Sequence, residues 1–180
     1  MDQDIERVLV HERRIRDRVA ELGARISRDY AGKDLTVVAL LKGGVVFLAD
    51  IIRSISIPMD LDFAWASSYG DRTTSSGNVV LKVVPDTNLR GRHVLLVDDI
   101  LDTGRTLARV SAELTDRLGA AEVKTCVLLD KAARREVPVH ADYVGFEVEN
   151  VFVVGYGLDF DDRYRNLPYI GVLKPHLYSK

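Results

Sequence analysis

Apolar residues near the start of the chain recur with the period of a helix. Four of them are separated by steps of four, three and four residues: Ile15, Val19, Leu22 and Ile26. Side chains at this spacing lie on one stripe of an amphipathic helix, and Gly32 provides a stop signal after it. A shorter apolar run precedes the stripe at residues 8–10. We therefore predict an amphipathic helix that ends near Gly32.

The next part of the chain alternates between short apolar runs and helical periods. Residues 35–41 form a continuous apolar run of strand length, and the glycines after Lys42 break it before a helical segment at residues 45–52. The alternation continues with two further strand-like runs that flank a helical period: residues 94–97, 107–118 and 123–129. Strands separated by helices predict a doubly wound α/β fold, in which a mostly parallel sheet has helices on both faces.

A polar segment separates two further predicted strands. Residues 60–69 show the apolar alternation of a strand, and residues 79–84 have the composition of its returning partner. Between them, residues 70–78 have almost nothing to bury, which predicts a mobile loop. Shorter apolar runs follow later in the chain: residues 143–148, 151–154 and 169–173. No repeat, linker or low-complexity tract divides residues 1–180, so we expect a single domain.

The composition is that of a globular protein. Hydrophobic residues make up 47% of the chain, charged residues 29%, and the formal net charge is −2, which argues against a disordered chain and a basic nucleic-acid-binding surface. The one cysteine, Cys126, lies in an apolar run, so we expect a buried thiol, no intrachain disulfide and a reducing compartment. The N-terminus lacks the apolar core of a signal peptide, and no run approaches the roughly 18 apolar residues of a membrane span. We therefore expect a cytoplasmic protein.

The clearest chemical pattern follows the apolar run at residues 94–97. Asp98 and Asp99 come directly after it, and a polar turn at residues 102–106 leads into the next predicted helix. In open α/β sheets, ligands bind at the carboxyl ends of the strands, and backbone N–H groups at the start of the following helix favour a phosphate. Acids set before such an anion cradle indicate a substrate that carries phosphate, hydroxyl groups and a metal ion.

These acids also have a simpler interpretation. Because Asp98 and Asp99 are consecutive in a strand, their side chains begin on opposite faces and are not expected to form one joint ligand, although each can approach a ribose diol and its magnesium. The simpler interpretation is a solvated strand end, with Asp102 or Thr103 capping the helix. The attached Thr-Gly-Arg-Thr sequence favours the ligand site. Arg105 either adds charge to that site or faces solvent, and both roles stay open.

Together these motifs resemble a known family. The apolar run, the two acids and Ile-Leu-Asp-Thr-Gly-Arg-Thr at residues 100–106 look like the phosphoribosyl pyrophosphate motif of type I phosphoribosyltransferases. Further matches follow the family's order along nearly the whole chain: Leu41-Lys42-Gly43-Gly44, Ser67-Ser68-Tyr69-Gly70, Lys131, residues 152–159 and Arg165. The aspartate at position 102 is similar to the 6-oxopurine branch, the hypoxanthine-guanine phosphoribosyltransferases. Many members of that branch have Glu-Asp where this chain has Asp98-Asp99.

The resemblance implies an assignment of the site, residue by residue. Phosphoribosyl pyrophosphate is expected to contact Lys42, Gly43, Ser68, Tyr69, Asp98, Asp99, Asp102, Thr103, Gly104, Arg105, Thr106 and Arg165. The purine is expected to contact Lys131, Phe152, Val153 and Asp159. Magnesium is expected at Asp98, Asp99 and Asp159. The resemblance also implies a cis peptide bond between Leu41 and Lys42, and a small hood built from chain-terminal segments.

The implied activity is the transfer of the 5-phosphoribosyl group from phosphoribosyl pyrophosphate to hypoxanthine or guanine, with Asp102 exchanging a proton with the purine ring. Ser68, Tyr69 and the following loop are expected to close over the site and exclude water. We expect Mg²⁺ as the cofactor, no nucleic-acid or membrane partner, and a homodimer or homotetramer.

Three alternatives to this activity stay open, and the first of them is also an enzyme. One is a relative that prefers xanthine or guanine. Another is an RNA-binding regulator of pyrimidine operons with the same fold, a group that usually lacks an acid at position 102 and presents a basic face. A nucleotide-binding domain without catalysis is the third, and it leaves Asp102 and Lys131 unexplained.

Overall fold

The computed structural model describes residues 1–68, 79–83 and 85–178. Within these ranges the strands are β1 (Ile5–Val10), β2 (Leu35–Leu41), β3 (Asp60–Ser68), β4 (Val79–Val83), β5 (His93–Leu101), β6 (Glu122–Asp130), β7 (Tyr143–Glu147), β8 (Val153–Val154) and β9 (Ile170–Leu173). Six of them form the main sheet in the order β4-β3-β2-β5-β6-β7. All neighbours in this sheet are parallel except β3 and β4. The prediction of a mostly parallel α/β sheet is confirmed.

Helices cover both faces of this sheet, as predicted. They are α1 (Glu12–Asp29), α2 (Val45–Ser54) and α3 (Arg105–Ala112), with short 3-10 turns at Asp2–Asp4, Ala132–Arg134 and Pro175–Leu177. The predicted apolar stripe of α1 is buried in one core together with α2. Leu107 and Val110 of α3 lie in a second core on the other face. The fold is therefore doubly wound around two apolar layers.

Two predicted boundaries around the acidic motif differ from the structure. Strand β5 does not end at the apolar run, because its pairing with β6 continues to Leu101, opposite Asp130. The following helix begins at Arg105 rather than at residue 107, and after Ala112 it widens into a π-helical turn at Glu113–Arg117. The acidic pair therefore lies inside the strand, and the polar turn is shorter than predicted.

The alternation at residues 60–69 correctly predicts β3, but its large side chains are not all buried. Leu61 and Trp65 keep 39% and 38% of their surface exposed, whereas Ala64 on the opposite face is buried. The helices α1 and α2 pack over β2, β5 and β7. On the same face of β3 as Leu61 and Trp65, Phe63 is partly buried and packs against the core of α1 and α2.

A second, smaller sheet forms the expected hood from chain-terminal segments. Its strands follow the order β1-β9-β8 and are antiparallel. The Tyr164 hydroxyl donates to Asp4 Oδ2 at 3.0 Å, and the Tyr169 hydroxyl donates to Asp2 Oδ1 at 2.7 Å. These bonds tie the start of the chain to the segment that precedes β9.

The predicted mobile loop at residues 70–78 lies outside the described residues, as do Tyr69 and Val84. In the described ranges, no helix combines the length and apolar character needed to cross a bilayer. Cys126 is buried with a free thiol, as predicted.

Candidate active site

A cleft of about 350 Å³ opens at the carboxyl ends of β2 and β5. It is lined by Leu40, Leu41, Gly43, Asp98, Asp99, Ile100, Leu101, Asp102, Thr103, Gly104, Thr106 and Leu107. A larger cleft of about 540 Å³ lies between α1, α2 and residues 165–168, but Arg165 is the one predicted site residue in its lining. The smaller cleft therefore concentrates the predicted chemistry.

Asp98 and Asp99 both line this cleft, which corrects the expectation that their side chains separate onto opposite faces. The reason is that β2 pairs with β5 only as far as Val97, so the strand beyond that point is open to the cleft. The Asp99 backbone N–H donates to Asp98 Oδ1 at 3.0 Å. Burial raises the pKa of both carboxyl groups, and the charge of Asp99 raises the pKa of Asp98 further.

Glycines let the loop after β2 approach these acids. A Cβ atom at Gly43 would lie 1.7 Å from Asp99 Oδ2, and one at Gly44 would lie 2.8 Å from the Leu40 carbonyl oxygen. No side chain fits at either position without displacing a neighbour. The peptide bond between Leu41 and Lys42 is cis, as the resemblance implies.

The polar turn at residues 102–106 closes the other side of the cleft. Gly104 is buried, has a φ of 86° and precedes the first residue of α3. The N-cap residue of α3 is Gly104, and the Oγ1 of Thr103, one residue earlier, accepts from the Arg105 N–H at 3.4 Å. Of the two predicted caps, Thr103 thus contacts the helix start, and the Asp102 side chain makes no such bond among the described residues. The N-terminal N–H groups of α3 and the hydroxyls of Thr103 and Thr106 therefore suit an anion.

Arg105, whose role the sequence left open, forms an ion pair with Glu136 at 2.6 Å on the exposed surface. It does not belong to the residues that line the cleft.

Asp102 has one carboxylate oxygen without a partner. Its Oδ1 is buried and accepts no hydrogen bond from any described residue, whereas Oδ2 lies 3.4 Å from Arg134 Nη1. A buried oxygen of this kind is rare, because an unsatisfied polar atom costs free energy comparable to a lost hydrogen bond. Asp102 therefore lines the cleft with an acceptor that the described residues leave unused.

Lys131 lies at the end of β6 and is only 6% exposed. Its Nζ donates to the Val151 carbonyl oxygen at 2.8 Å, and its backbone N–H donates to the Leu101 carbonyl oxygen. Burial lowers the pKa of the Lys131 ammonium, although the charge of Asp102 acts in the opposite direction. Two donors on Nζ remain for other acceptors.

Phe152 belongs to a cluster of three aromatic rings. Its ring meets Phe160 edge-on, with the centroids 5.5 Å apart, and stacks on Tyr178 at 4.7 Å. Val153, the next residue, is buried in β8. No sequence signal indicated that Tyr178 packs against Phe152.

A cationic pair faces two further acids beside the glycine loop. Arg165 binds the Gly157 carbonyl oxygen, Asp159 Oδ1 at 2.8 Å and Asp162 Oδ1 at 3.0 Å. Lys42 Nζ lies 3.4 Å from Asp162 Oδ1. Hydrogen bonds from Arg165 and Lys42 lower the pKa of Asp162. Three predicted residues are thus brought together by Asp162, which the sequence did not single out.

The side chains of two predicted site residues lie outside the described part of the structure. Ser68 ends strand β3, and Tyr69 lies outside the described ranges. Their predicted role as a lid stays a prediction.

Another residue that sequence reasoning missed is Arg135. Its guanidinium contacts the carbonyl oxygens of Leu101 and Asp102 and the carboxylate of Asp130. The one sequence signal is a second arginine after Arg134, close to the end of a predicted strand.

Comparison with known proteins identifies the family that the motifs resemble. Residues 8–161 match the phosphoribosyl transferase domain family. The chain is 47% identical over 180 residues to the hypoxanthine-guanine phosphoribosyltransferase of Lactococcus lactis subsp. lactis (strain IL1403), with 100% of this chain and 97% of the relative covered. It is also 47% identical over 182 residues to the bifunctional protein TilS/HprT of Listeria innocua serovar 6a, of which it spans 28%. Among solved structures, a hypoxanthine phosphoribosyltransferase from Staphylococcus aureus matches with a TM-score of 0.94 at 41% identity, with 100% of this chain and 97% of that chain covered.

Proposed function

Because the chain belongs to the phosphoribosyl transferase family, we propose that it transfers the 5-phosphoribosyl group of phosphoribosyl pyrophosphate to hypoxanthine or guanine. The products are the nucleoside monophosphate and pyrophosphate, with inversion at the anomeric carbon. One observation carries the proposal: Asp102 lines the cleft beside the anion-binding turn and keeps a buried Oδ1 without a hydrogen-bond partner among the described residues. The proposed reaction needs an acceptor for the proton of the purine, a site for the 5′-phosphate and a donor that selects the base.

The 5′-phosphate is proposed to bind at residues 102–106. Backbone N–H groups at the start of α3 carry partial positive charge, and Thr103 and Thr106 add hydroxyl donors. The left-handed Gly104 allows the chain to turn tightly there. Arg105 acts at longer range, because its guanidinium is held by Glu136.

The base is proposed to bind between Lys131 and Phe152. The Lys131 ammonium donates to the 6-oxo group, while the 6-amino group of adenine would present a donor to a donor. Phe152 offers a ring for stacking, with Val153 and Asp159 on the same segment. Asp102 accepts and returns the proton of the imidazole nitrogen at position 7 as the bond at position 9 forms.

The pyrophosphate is proposed to leave along the loop of Lys42 and Gly43. Departure of pyrophosphate puts oxocarbenium character on the ribose and negative charge on the leaving group. Lys42, Arg165 and the loop amides stabilise that charge electrostatically. Exclusion of water matters because hydrolysis of the activated ribose competes, and we assign that task to Ser68, Tyr69 and residues 70–78.

Magnesium is the proposed cofactor, and the residues present fit it. Asp98, Asp99 and Asp159 supply the carboxylate oxygens that this ion prefers, and the adjacent pair of Asp98 and Asp99 lacks a cationic side chain at hydrogen-bond distance in the described residues. Within the described ranges these three acids do not form one cluster of protein ligands, so water and substrate oxygens would complete the shell of the ion. When bound, the ion supplies positive charge to the diol and the pyrophosphate.

We further propose that residues 1–180 act as one phosphoribosyltransferase domain in a cytoplasmic homodimer or homotetramer. The exposed apolar side chains of Val45, Leu61 and Trp65 support an interface between copies of the chain. The buried, free thiol of Cys126 suits a reducing compartment.

A base panel tests the proposed activity. The protein is incubated with phosphoribosyl pyrophosphate, Mg²⁺ and one of hypoxanthine, guanine, xanthine, adenine or uracil, and pyrophosphate release is followed. We expect turnover with hypoxanthine or guanine and at least 10²-fold lower kcat/KM with adenine. Preference for xanthine would narrow the substrate, while equal use of adenine, or RNA binding without purine turnover, would overturn the proposal.

A further inference from the structure

Three consecutive carbonyl groups at the start of the phosphate turn accept hydrogen bonds from one segment, residues 131–137. The Leu101 oxygen accepts from the Lys131 N–H at 2.9 Å and from Arg135 Nη1 at 3.0 Å. Arg135 Nη1 also donates to the Asp102 oxygen. The Thr103 oxygen accepts from the N–H groups of Glu136 and Val137, at 2.9 and 3.1 Å.

This arrangement fixes the direction of the peptide planes. In a trans peptide the N–H points opposite to the C=O. Carbonyl oxygens that are held towards residues 131–137 therefore aim the N–H groups of Asp102, Thr103 and Gly104 away from that segment. A phosphate is attracted by N–H groups and repelled by carbonyl oxygens, so this orientation decides whether the turn binds an anion.

Arg135 is the one described side chain that bonds to these carbonyls. Its side chain is 14% exposed, and its other nitrogen, Nη2, binds the Asp130 carboxylate at the end of β6. The turn packs directly against it, since a Cβ atom at Gly104 would lie 3.2 Å from Arg135 Cδ and 2.6 Å from Val139 Cγ1. A planar guanidinium with several fixed donors suits such a bridge better than an ammonium group does.

We propose that Arg135 is a positioning residue that holds the phosphate turn in its anion-binding orientation and couples it to Lys131. This inference rests on the proposed function, because it assigns Arg135 to the 5′-phosphate end of that site. Arg135 does not touch the substrate. It acts through the backbone of Leu101 and Asp102, and the same backbone carries the carboxylate assigned to proton exchange.

A purely structural role predicts something different. Loss of a buried ion pair lowers the stability of the fold wherever the pair lies. A loss of stability alone would weaken the binding of both ligands equally or leave both unchanged. A positioning role predicts weaker binding of the nucleotide phosphate and unchanged binding of pyrophosphate, whose proposed contacts, Lys42 and Arg165, lie on other segments. Comparison of these two ligands therefore separates the roles.

The chain offers a matched control at the opposite edge of the sheet. Arg92 is 19% exposed and binds two carboxylates, those of Asp34 and Asp60. Arg92→Met therefore removes a similar ion-paired arginine without touching the cleft.

Calorimetry on the full chain then measures the Kd of GMP and of inorganic pyrophosphate with Mg²⁺ for wild type, Arg135→Met, Arg135→Lys and Arg92→Met, together with the Tm of each. We expect Arg135→Met to raise the Kd of GMP by roughly tenfold or more and to leave that of pyrophosphate within about twofold. Arg135→Lys should recover part of the loss, because it restores one donor. Arg92→Met should change neither Kd.

The inference is overturned by an unchanged Kd of GMP in Arg135→Met, by equal weakening of both ligands, or by the same pattern in Arg92→Met. If Arg135→Met does not fold, Arg135→Lys decides by the same criterion. Failure of the proposed function is distinguishable, because the wild-type protein would then bind no GMP and turn over no 6-oxopurine.

Discussion

The amino-terminal ends of the parallel strands form one edge of the main sheet, the amino edge, and their carboxyl-terminal ends form the carboxyl edge. The two edges carry similar charged residues in opposite electrostatic states. At the amino edge, Arg92 pairs with Asp34 and Asp60, and His93 pairs with Glu122. The hydrogen bonds from Arg92 and His93 lower the pKa values of Asp34 and Glu122. The acids at this edge have the partners that they need.

At the carboxyl edge, Asp130 is paired with Arg135, but Asp98 and Asp99 have no cationic partner at hydrogen-bond distance among the described residues. Burial raises the pKa values of Asp98 and Asp99, and Asp102 keeps a buried oxygen without a hydrogen bond among the described residues. Unbalanced charge in a cleft is a mark of a functional site, because stability alone favours pairing. We infer from this difference that the carboxyl edge is arranged for ligands and the amino edge for stability.

The largest effect is expected from removal of the carboxylate assigned to proton exchange. Asp102→Asn should lower kcat by roughly 10² to 10⁴ while the Kd of phosphoribosyl pyrophosphate changes little. The same substitution at the amino edge, Asp34→Asn, serves as the control and should leave kcat unchanged. Steady-state kinetics and a donor-binding titration check this, and full activity of Asp102→Asn would remove Asp102 from the mechanism.

A smaller loss is expected when the base-selecting donor is removed. Lys131→Met should lower kcat/KM for hypoxanthine by roughly 10- to 100-fold, with a smaller change for adenine, because the 6-oxo group loses its donor. Lys124→Met, at the start of the same strand, is the matched control. Unchanged discrimination between the two bases would show that Lys131 does not select the base.

The pH dependence of stability should differ in sign between the two edges. A carboxyl group whose pKa is raised by folding binds its proton more tightly in the native state, so its contribution to stability falls as the pH rises from the unfolded pKa to the folded one. Asp98→Asn should therefore raise the Tm at pH 7 by about 2–6 °C and by less near pH 4.

Asp34 shows the opposite case, because its pKa is lowered. Its contribution is present above the unfolded pKa and is lost as the pH falls through the folded pKa. Asp34→Asn should therefore lower the Tm at pH 7 and have less effect at acidic pH. Thermal melts between pH 3 and pH 8 check both variants, and a lowered Tm of Asp98→Asn at pH 7 would contradict the contrast.

The smallest effect concerns Asp162, which sits on the two cations assigned to pyrophosphate. Its carboxylate competes with the ligand for Lys42 and Arg165, and all of these side chains are partly exposed. Asp162→Asn should tighten pyrophosphate binding by about two- to fivefold, the range of an exposed ion pair. Glu113→Gln is the control, because it removes ion pairs with Arg109 and Arg117, which do not line the cleft. Weaker pyrophosphate binding in Asp162→Asn would mean that Asp162 organises the cations instead of competing for them.

Local patterns predicted the fold well where burial dictates the sequence. The stripe of α1 and the run of β2 were found because one face, or the whole strand, must be apolar. The end of β5 was not, because Asp98 to Leu101 continue to pair with β6 although the apolar run has stopped. Backbone hydrogen bonds there extend the strand to Leu101, beyond the last residue of the apolar run.

The candidate site was predicted as far as its motifs are local. Residues 102–106 form one continuous segment, a turn followed by the first two residues of α3, so their chemistry can be read from the local sequence. Arg135 and Asp162 were missed because the contacts that join them to the phosphate turn and the glycine loop span 33 residues, to Asp102, and 120 residues, to Lys42. Such contacts depend on how the strands are ordered in the sheet.

Hydrogen exchange with and without GMP shows whether ligands bind at the carboxyl edge, because it reports on both edges in one experiment. We predict that GMP slows exchange at residues 102–106 and 131–137 and leaves the amides at residues 92–93 and 122–124 unchanged. With phosphoribosyl pyrophosphate and a transition-state mimic present, residues 68–77 should gain protection as well, as a closing lid requires. Protection at the amino edge, or none at residues 102–106, would contradict the assignment of the carboxyl edge as the ligand-binding edge.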